Sequence, residues 1–398
     1  MTPTAPPDQL APQASVRSAQ VLVACRELAP TLAFFQQLGF AVDAIFPADS
    51  PTTAMVSAHG LSLRLVQGAT GGATDIDLLC DDPAAAGVAL LSSPDGLRVH
   101  FVAADPPMRV PPTAQRLVLS RGAGADAWGV GRAGMHYRDL VPDRLGGAFI
   151  ASHIRILEGG PVADYVHFHK IRFQTIFCRK GWVRVAYEGQ GEPLLMQAGD
   201  CLLQPPLIRH RVMESSAGAE VVEICAPAQH ITIADRSMAL PNSELQPGRD
   251  FDGQQFVFHV AAHAAWAPWR VPGYEVQDTG IGTATAGLAG VRVVRPVAEG
   301  APVHQAHASE FCFYFVLSGS VSLSAQGPDL PADERRQHHP TRWRALHLER
   351  AQWRSDLARG DAARRVAPEL SRNALAQAQQ APALRQLHAL RISQRGRP

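Results

Sequence analysis

Residues 166–182 have the sequence VHFHKIRFQTIFCRKGW. Its aromatic and β-branched residues predict a strand, and two histidines, His167 and His169, stand one residue apart near its beginning. Because strand side chains alternate between the two faces of a sheet, both imidazoles point to the same side. Two imidazoles directed at one spot predict a bound ligand, and a metal ion is the first candidate.

The stretch resembles the first signature of the cupin family, which is His-x-His, three or four residues, Glu, six residues and Gly. Here the two histidines are followed by four residues, Gln174, six residues and Gly181. The second cupin signature is Gly, five residues, Pro-x-Gly, two residues, His, three residues and Asn. Residues 199–214, GDCLLQPPLIRHRVME, resemble this second signature. The matching residues are Gly199, Pro205 and His210, whereas Leu207 and Glu214 stand where the family has Gly and Asn.

The resemblance implies a jelly-roll barrel, or double-stranded β-helix, over residues 136–245. The short, turn-separated strand patterns of this region also favour an all-β barrel or sandwich. The candidate metal ligands are His167, His169, Gln174 and His210. Three imidazoles suit a divalent transition metal, Fe(II) in the first place and Mn, Ni, Cu or Zn as alternatives, and leave positions open for substrate. The other interpretation is a metal-free barrel whose histidines are hydrogen-bonded core residues or bind a sugar-like ligand.

Gln174 is the departure from the family pattern that bears most on chemistry. Cupin enzymes commonly have a glutamate there, whereas a neutral amide oxygen is a weak ligand or only a hydrogen-bonding group. We therefore expect a metal site that stays more cationic and more open. Such a site favours an anionic bidentate ligand: an enolate, a β-diketone, an α-keto acid or a catechol-like diol.

An internal repeat predicts a second barrel over residues 246–327. The stretch QAHASEFCFYFVLSG, residues 305–319, aligns without a gap with residues 167–181. The protein therefore resembles a bicupin whose second site is degenerate, and we expect that barrel to be structural and metal-free. The three site positions of the second barrel are occupied by Gln305, His307 and Cys312, with His304 nearby.

Residues 328–398 differ in composition, because arginine, alanine and glutamine replace the strand-like alternation. A helical extension is one interpretation, supported by the helix propensity of ELSRNALAQAQQ, residues 369–380. A helical extension, however, would leave the second barrel with unpaired strand edges. With two lysines among 37 basic residues, the coding DNA is inferred to be GC-rich, and reading residues 337–344 one base later gives a strand-and-turn pattern. We hypothesise that a frameshift near residue 327 replaced the end of this barrel.

Residues 16–104 predict a small α+β domain ahead of the barrels. One helical pattern, ELAPTLAFFQQLGF at residues 27–40, lies between strand-like segments. The stretches TLAFFQQLGFAV, residues 31–42, and SSPDGLRVHFV, residues 92–102, resemble the vicinal oxygen chelate (glyoxalase-like) family. Only His100 falls near one of that family's ligand positions. We expect a structural or substrate-covering module without a metal.

Composition sets the remaining expectations. A hydrophobic fraction of 46% with 18% charged residues is typical of globular proteins, and a net charge of +1 gives no electrostatic footprint for nucleic acid or an anionic membrane. No apolar run reaches membrane-spanning length. Residues 1–15 read as a disordered Pro/Ala tail and residues 105–135 as a Pro/Gly-rich linker. Six cysteines without a CxxC pair favour a reducing cytoplasm.

Together these observations favour a metal-dependent cupin enzyme, most specifically a dioxygenase acting on a small oxygenated substrate, aromatic or enolisable. The alternatives are a small-molecule-binding barrel without turnover and a cupin isomerase or hydrolase. The expected partner is a small-molecule substrate, with self-association left open and neither nucleic acid nor membrane involved.

Overall fold

The computed structural model describes residues 15–68, 75–92, 98–120, 128–297, 303–305, 309–319, 322–326, 344–350 and 389–393. Its contacts divide the chain into two compact units, Met1–Ala114 with Ser120–Asp252, and Gln115–Leu119 with Gly253–Pro398. The first unit therefore combines the predicted α+β domain and the first barrel. The domain boundaries drawn from the sequence stay predictions, and all but the last residue of the predicted tail, 1–15, lies outside the described residues.

The N-terminal α+β domain is a helix packed on a sheet. The apolar face of the helix contributes Leu28, Leu32 and Phe35 to a core with buried sheet residues such as Val56 and Leu65. The helix ends before Gly39, whose φ of +87° suits glycine, at the place where its sequence predicted the end. The elements are β1 (Val16–Cys25), α1 (Leu28–Gln37), β2 (Ala41–Phe46), β3 (Thr53–Ala58), β4 (Leu61–Gln67), β5 (Asp75–Cys80), β6 (Leu90–Ser92) and β7 (Arg98–Ala103).

The glyoxalase-like interpretation of this domain stays a prediction. His100, the residue nearest a ligand position of that family, points to a carboxylate, with its Nδ1 3.2 Å from Asp77 Oδ1. Asp77 also accepts a hydrogen bond from Arg64, and the buried Asp75 is held by a bidentate ion pair with Arg98. These carboxylates are therefore engaged by side chains of the domain itself.

The first barrel is built from two antiparallel sheets. Their strand orders are β15-β14-β17-β12-β19 and β16-β13-β18-β10-β9-β8, so the chain passes repeatedly from one sheet to the other. This arrangement confirms the predicted double-stranded β-helix. Its elements are β8 (Gly129–Val130), β9 (His136–Asp139), α2 (Arg144–Gly147), β10 (Ile150–Ile156), β11 (Gly160–Pro161), β12 (His167–Lys170), β13 (Phe173–Lys180), β14 (Trp182–Tyr187), β15 (Leu194–Gln197), β16 (Cys201–Leu203), β17 (His210–Ser215), β18 (Ala219–Ala226) and β19 (Ile231–Ala234).

Two turn positions of the sequence signatures have left-handed backbone. Gly181 connects β13 to β14 with a φ of +72°, and a Cβ there would lie 2.3 Å from Ser216 Oγ. Leu207, which replaces the signature glycine between β16 and β17, keeps a φ of +64°. Most side chains avoid this region because Cβ crowds the backbone. The turn geometry is therefore retained where the glycine is not.

The N-terminal domain and the first barrel share one continuous sheet. Strand β19 of the barrel pairs with β2, with Thr232 opposite Ile45 and Ile233 opposite Ala44. The sheet continues from β2 through β3, β4, β1, β5 and β7 to β6. The expected linker, residues 105–135, therefore does not separate the two parts, because backbone hydrogen bonds join them directly.

The second unit contains the strands of the predicted repeat. Its described strands form one sheet in the order β23-β24-β25-β29-β27 and another in the order β26-β30-β28. The elements that follow the first barrel are β20 (Asp250–Phe251), β21 (Gln254–Gln255), β22 (Val257–His259), β23 (Ala267–Pro268), β24 (Tyr274–Asp278), α3 (Ile281–Ala284), β25 (Ala289–Pro296), β26 (Val303–Gln305), β27 (Phe311–Ser318), β28 (Ser322–Gln326), β29 (Arg344–Arg350) and β30 (Ala389–Ser393).

Two strands of the second unit come from residues 328–398. The sequence predicts that the strands of the second barrel stop near residue 327, whereas β29 pairs with both β25 and β27, and β30 pairs with β26 and β28. The expectation rested on side-chain alternation, whereas strand pairing needs only backbone donors and acceptors. Residues 327–343 and 351–388 lie outside the described residues, and the frameshift hypothesis stays a prediction.

Candidate metal centre

Two neighbouring strands bring three histidines together inside the first barrel. His167 and His169 alternate with Phe168 and Lys170 along β12, and both imidazoles are buried, with 0% and 6% exposure. His210, at the start of β17, is the strand partner of His167 and is 4% exposed. One ligand nitrogen from each of the three lies within 4.8 Å of the others. Among the described residues, no other group of this kind is found.

Each imidazole is oriented by a hydrogen bond on its Nδ1. His167 donates to the carbonyl oxygen of Tyr165 at 2.7 Å, and His210 donates to that of Ile208 at 2.9 Å. His169 Nδ1 lies 2.8 Å from the hydroxyl of Thr232. A carbonyl can only accept, so Nδ1 carries the proton in the first two rings and Nε2 keeps its lone pair. Protein metal sites commonly orient their histidine ligands in this way.

The three imidazoles are neutral at pH 7. Burial lowers the pKa of His167 and of His169 well below the usual range, and the charge of Arg132 adds to the effect at His167. Burial also lowers the pKa of His210 to about 3. Nε2 of His167 is buried and has no hydrogen-bond partner. Neutral imidazole is the form that binds metals, so these residues fit a divalent transition metal.

Gln174 hydrogen-bonds through both ends of its amide. Its Oε1 accepts from Gln204 Nε2 at 2.7 Å, and its Nε2 donates to Glu223 Oε1 at 2.7 Å. Gln204 also donates to Nε2 of His210 at 3.0 Å and accepts from the hydroxyl of Tyr187 at 2.8 Å. Of the two roles that the sequence left open for Gln174, this arrangement favours hydrogen bonding, and its role as a ligand stays a prediction.

A segment read from the sequence as a linker supplies a charge to the site. Arg132, within residues 105–135, forms an ion pair with the fully buried carboxylate of Asp164. The other oxygen of Asp164 accepts from the backbone N–H of Val212 at 2.9 Å. Asp164 also lies 3.7 Å from Nδ1 of His167, which couples this ion pair to the histidine cluster.

His169 and His210 line a cavity of about 90 Å³ with mainly apolar walls. Its charged lining residues are Asp49, Arg132 and Glu223, so the formal charge of the lining is −1. Asp49 comes from the N-terminal domain, after the end of β2. Sequence reasoning missed these groups because no motif marks them. Further polar lining residues are Tyr137, Ser152, Tyr187, Gln204 and His230, and the apolar ones include Met135, Ile150, Ile154, Ile176, Val183, Met196, Leu202 and Val221.

The candidate site of the second barrel lies largely outside the described residues. His307 is not among them, and only the backbone of residues 303–305 is described. Cys312 lies on β27 and is partly buried. The expectation that this site is degenerate and metal-free therefore stays a prediction.

Among the described residues, no helix is long and apolar enough to cross a membrane.

Comparison with known proteins gives no family assignment. No family model and no curated protein matches the chain. Among solved structures, the chain is similar to vicilin from Corylus avellana (hazelnut), with a TM-score of 0.38 and 10% identity over 57% of this chain and 84% of vicilin. It is also similar to oxalate decarboxylase from Bacillus subtilis, with a TM-score of 0.37 and 10% identity over 66% of this chain and 69% of that one. A structure of the same decarboxylase, from work on its Mn(II) centres, gives 0.40, with 10% identity and coverage of 72% and 76%. Similarity at this level identifies neither a family nor an activity.

Proposed function

We propose that the first barrel is a metal-dependent cupin enzyme, a dioxygenase that acts on a small oxygenated substrate bound as an anion. The observation that carries the proposal is the set of three buried, neutral imidazoles whose Nδ1 atoms are held by the protein. His167, His169 and His210 would hold the metal through Nε2. At His210, a metal would replace the contact with Gln204, which keeps Gln174 and Tyr187 as partners.

Charge and shape support an anionic substrate of limited size. A divalent ion would change the formal charge of the cavity lining from −1 to +1, which favours a monoanion. When bound, such a metal supplies Lewis acidity and, in the case of Fe(II), the ability to react with O2. The mainly apolar walls lower the local dielectric and thereby strengthen electrostatic interactions inside the cavity.

Glu223 is the residue that we assign to proton transfer. Its carboxylate lines the cavity, and Gln174 Nε2 fixes one of its oxygens at 2.7 Å. A substrate hydroxyl or enolisable C–H would lose its proton to a Glu223 oxygen and stay in the cavity as the anion. Proton acceptance by a positioned carboxylate typically contributes about 10²–10⁴-fold to the rate. The same residue favours a second candidate, a metal-dependent isomerase, which moves a proton without consuming O2.

Elemental analysis of the purified protein tests the metal site. We expect about one divalent transition metal per chain, and loss of that metal in His167→Ala and in His210→Ala. The matched control is His136→Ala, on β9 of the same barrel but outside the histidine cluster, which should keep the metal. Equal metal in the wild type and in both ligand variants would contradict the proposal.

Turnover separates the two candidate reactions. Oxygen uptake is measured with catechol, 2,4-pentanedione and small α-keto acids, and proton exchange of 2,4-pentanedione is followed in D2O. A dioxygenase consumes O2, whereas an isomerase only exchanges protons. Glu223→Gln should keep the metal and lose about 100-fold or more of the turnover. Turnover that is unchanged in Glu223→Gln would remove Glu223 from the mechanism.

A further inference from the structure

We infer that the N-terminal domain forms a substrate-selecting wall of the barrel cavity, and that Asp49 accepts a hydrogen bond from a second polar group of the substrate. The inference rests on the proposed function for the other end of the substrate, the end that binds the metal. It assigns to the N-terminal domain a role in the chemistry of the barrel rather than a separate site of its own.

The shared sheet places Asp49 at the cavity. Strand β2 ends at Phe46 after pairing with β19, and the chain then contributes Ala48 and Asp49 to the cavity lining. Thr232, the β19 residue paired with Ile45, is also the hydrogen-bond partner of His169. The same strand contact therefore fixes both a metal-binding imidazole and the cavity wall.

The carboxylate of Asp49 is oriented but incompletely satisfied. Its Oδ2 accepts from Arg144 Nη2 at 2.5 Å, and the Nε of Arg144 is held in turn by Asp139 at 2.9 Å. Its Oδ1 is buried and has no hydrogen-bond partner. Buried carboxylate oxygens almost always have partners, and a missing partner is costly. A ligand donor would satisfy Oδ1 without disturbing the ion pair with Arg144.

Backbone packing makes this wall a close contact. The carbonyl oxygen of Asp49 lies 3.1 Å from where a Cβ on Gly131 would stand, and the ring of Tyr137 lies 2.6 Å from the same point. The segment that carries Arg132 therefore passes directly over Asp49, at a place where only glycine fits. Both segments line the same cavity, so Asp49 is held in position from two sides.

The carboxylates define the class of ligand. Asp49 and Glu223 both favour hydroxyl or amino groups, and both repel a second carboxylate. A cavity of about 90 Å³ has room for one small molecule. The inferred substrate is therefore a small metal-chelating oxygen compound, such as a diol or an enol, that carries an additional hydrogen-bond donor and no distal carboxylate.

Calorimetric titration of the Zn(II)-loaded protein without oxygen tests the inference, because zinc binds imidazoles and has no redox chemistry. The probes are catechol, its triol analogues pyrogallol and 1,2,4-benzenetriol, and 3,4-dihydroxybenzoate. We expect one triol to bind about tenfold more tightly than catechol, as a hydrogen bond to a charged acceptor provides. The carboxylated probe should bind more weakly than catechol.

Variants assign the preference to Asp49. Asp49→Ala should abolish the preference for the triol over catechol and relieve the penalty on 3,4-dihydroxybenzoate relative to catechol, with the zinc content unchanged. Asp49→Asn keeps a carbonyl acceptor and should retain part of the preference, which guards against a folding defect in the alanine variant. The control is Asp43→Ala, whose carboxylate lies in the same domain but pairs with Arg236; it should behave as the wild type.

Two failures are distinguishable. Wild-type protein that takes up no zinc would overturn the proposed function. Zinc-loaded wild type that shows no triol preference, or a preference that survives unchanged in Asp49→Ala, would overturn the role of Asp49 and leave the metal site intact.

Discussion

The amide at position 174 has a role that depends on the carboxylate of Glu223, its neighbour in space. The cupin resemblance implies a carboxylate there, and the chain has an amide. On the adjacent strand, Glu223 places a carboxylate 2.7 Å from that amide, and Gln174 donates to it. A glutamate at 174 would face Glu223 without a donor between them. The amide thus allows the cavity to contain a carboxylate that is not one of the expected metal ligands.

Exchanging the two residues tests this pairing. Metal-free Gln174→Glu should be less stable than the wild type by about 1–3 kcal/mol, because Glu223 loses the amide donor, keeps only the thiol of Cys225 and gains a like charge. Gln174→Glu with Glu223→Gln restores an amide–carboxylate pair and should recover most of the loss. Urea unfolding with chelator present measures both. Equal stability of the single variant and the wild type would show that the pair contributes nothing.

The same substitution should change the affinity for metal. A carboxylate at 174 adds a charged candidate ligand, so Gln174→Glu is expected to bind a divalent metal more tightly in competition with a chelator. An anionic substrate should then bind more weakly, through repulsion. Unchanged metal affinity would mean that side chain 174 does not reach the metal.

The neutral histidines predict an acid-sensitive metal-free protein. Their pKa values are lowered in the folded state, so the unfolded chain binds more protons once the pH falls below the ordinary histidine value of 6.5. The free energy of unfolding therefore has its full value above pH 6.5 and decreases as the pH is lowered. For His210 this decrease continues until about pH 3. Each histidine lowers the free energy of unfolding by about 1.4 kcal/mol for each pH unit in this range. Urea unfolding from pH 7 to 5 measures it, and His210→Ala should show a shallower dependence.

At the level of elements, β19 links two parts of the molecule that the sequence presents separately. It pairs with β12, which carries two of the histidines, and with β2 of the N-terminal domain. Its Thr232 orients His169. Neither pairing has a local sequence signal, because strand partners are determined by the whole sheet and not by the strand itself.

Thr232→Val should weaken metal binding about 10–100-fold, because His169 loses the hydrogen bond that orients its ring, while the shape of the side chain is kept. Thr232→Ser retains a hydroxyl and is the matched control, with affinity close to the wild type. Competition with a chelator measures both. Equal affinity of the valine and serine variants would show that the hydroxyl does not orient His169.

Sequence reasoning reached the fold of the first barrel and the convergence of its histidines because both depend on local patterns. Alternation along β12 places His167 and His169 on one face, and the spacing around His210 marks the second strand. Arg132 lies in a Gly-rich stretch, and such a composition predicts a linker. The residue nevertheless forms a buried ion pair with Asp164. Asp49 and Glu223 are single acidic residues whose proximity to the site arises from tertiary pairing alone.

For the whole molecule, the second unit raises the question of what completes its sheets. β29 lies between β25 and β27. It belongs to residues 328–398, which the sequence places after the second barrel. A strand between two others has both edges paired, so its loss would leave two exposed edges. Resequencing the gene through this region tests the frameshift hypothesis independently, since an intact reading frame would exclude a sequencing error.

Proline in β29 tests whether that strand holds the second unit together. Leu346 is opposite Val293 on one side and Phe315 on the other, and proline at 346 removes the backbone N–H and forces a bend in the middle of the sheet. Leu346→Pro should therefore make residues 253–297 much more sensitive to limited proteolysis, while Leu346→Ala, which keeps the N–H, should have a smaller effect. The metal content of the first barrel serves as an internal reference and should not change. Cleavage of the proline variant at the wild-type rate would show that residues 344–350 do not support the sheet, and would favour the hypothesis that the true end of the second barrel was replaced.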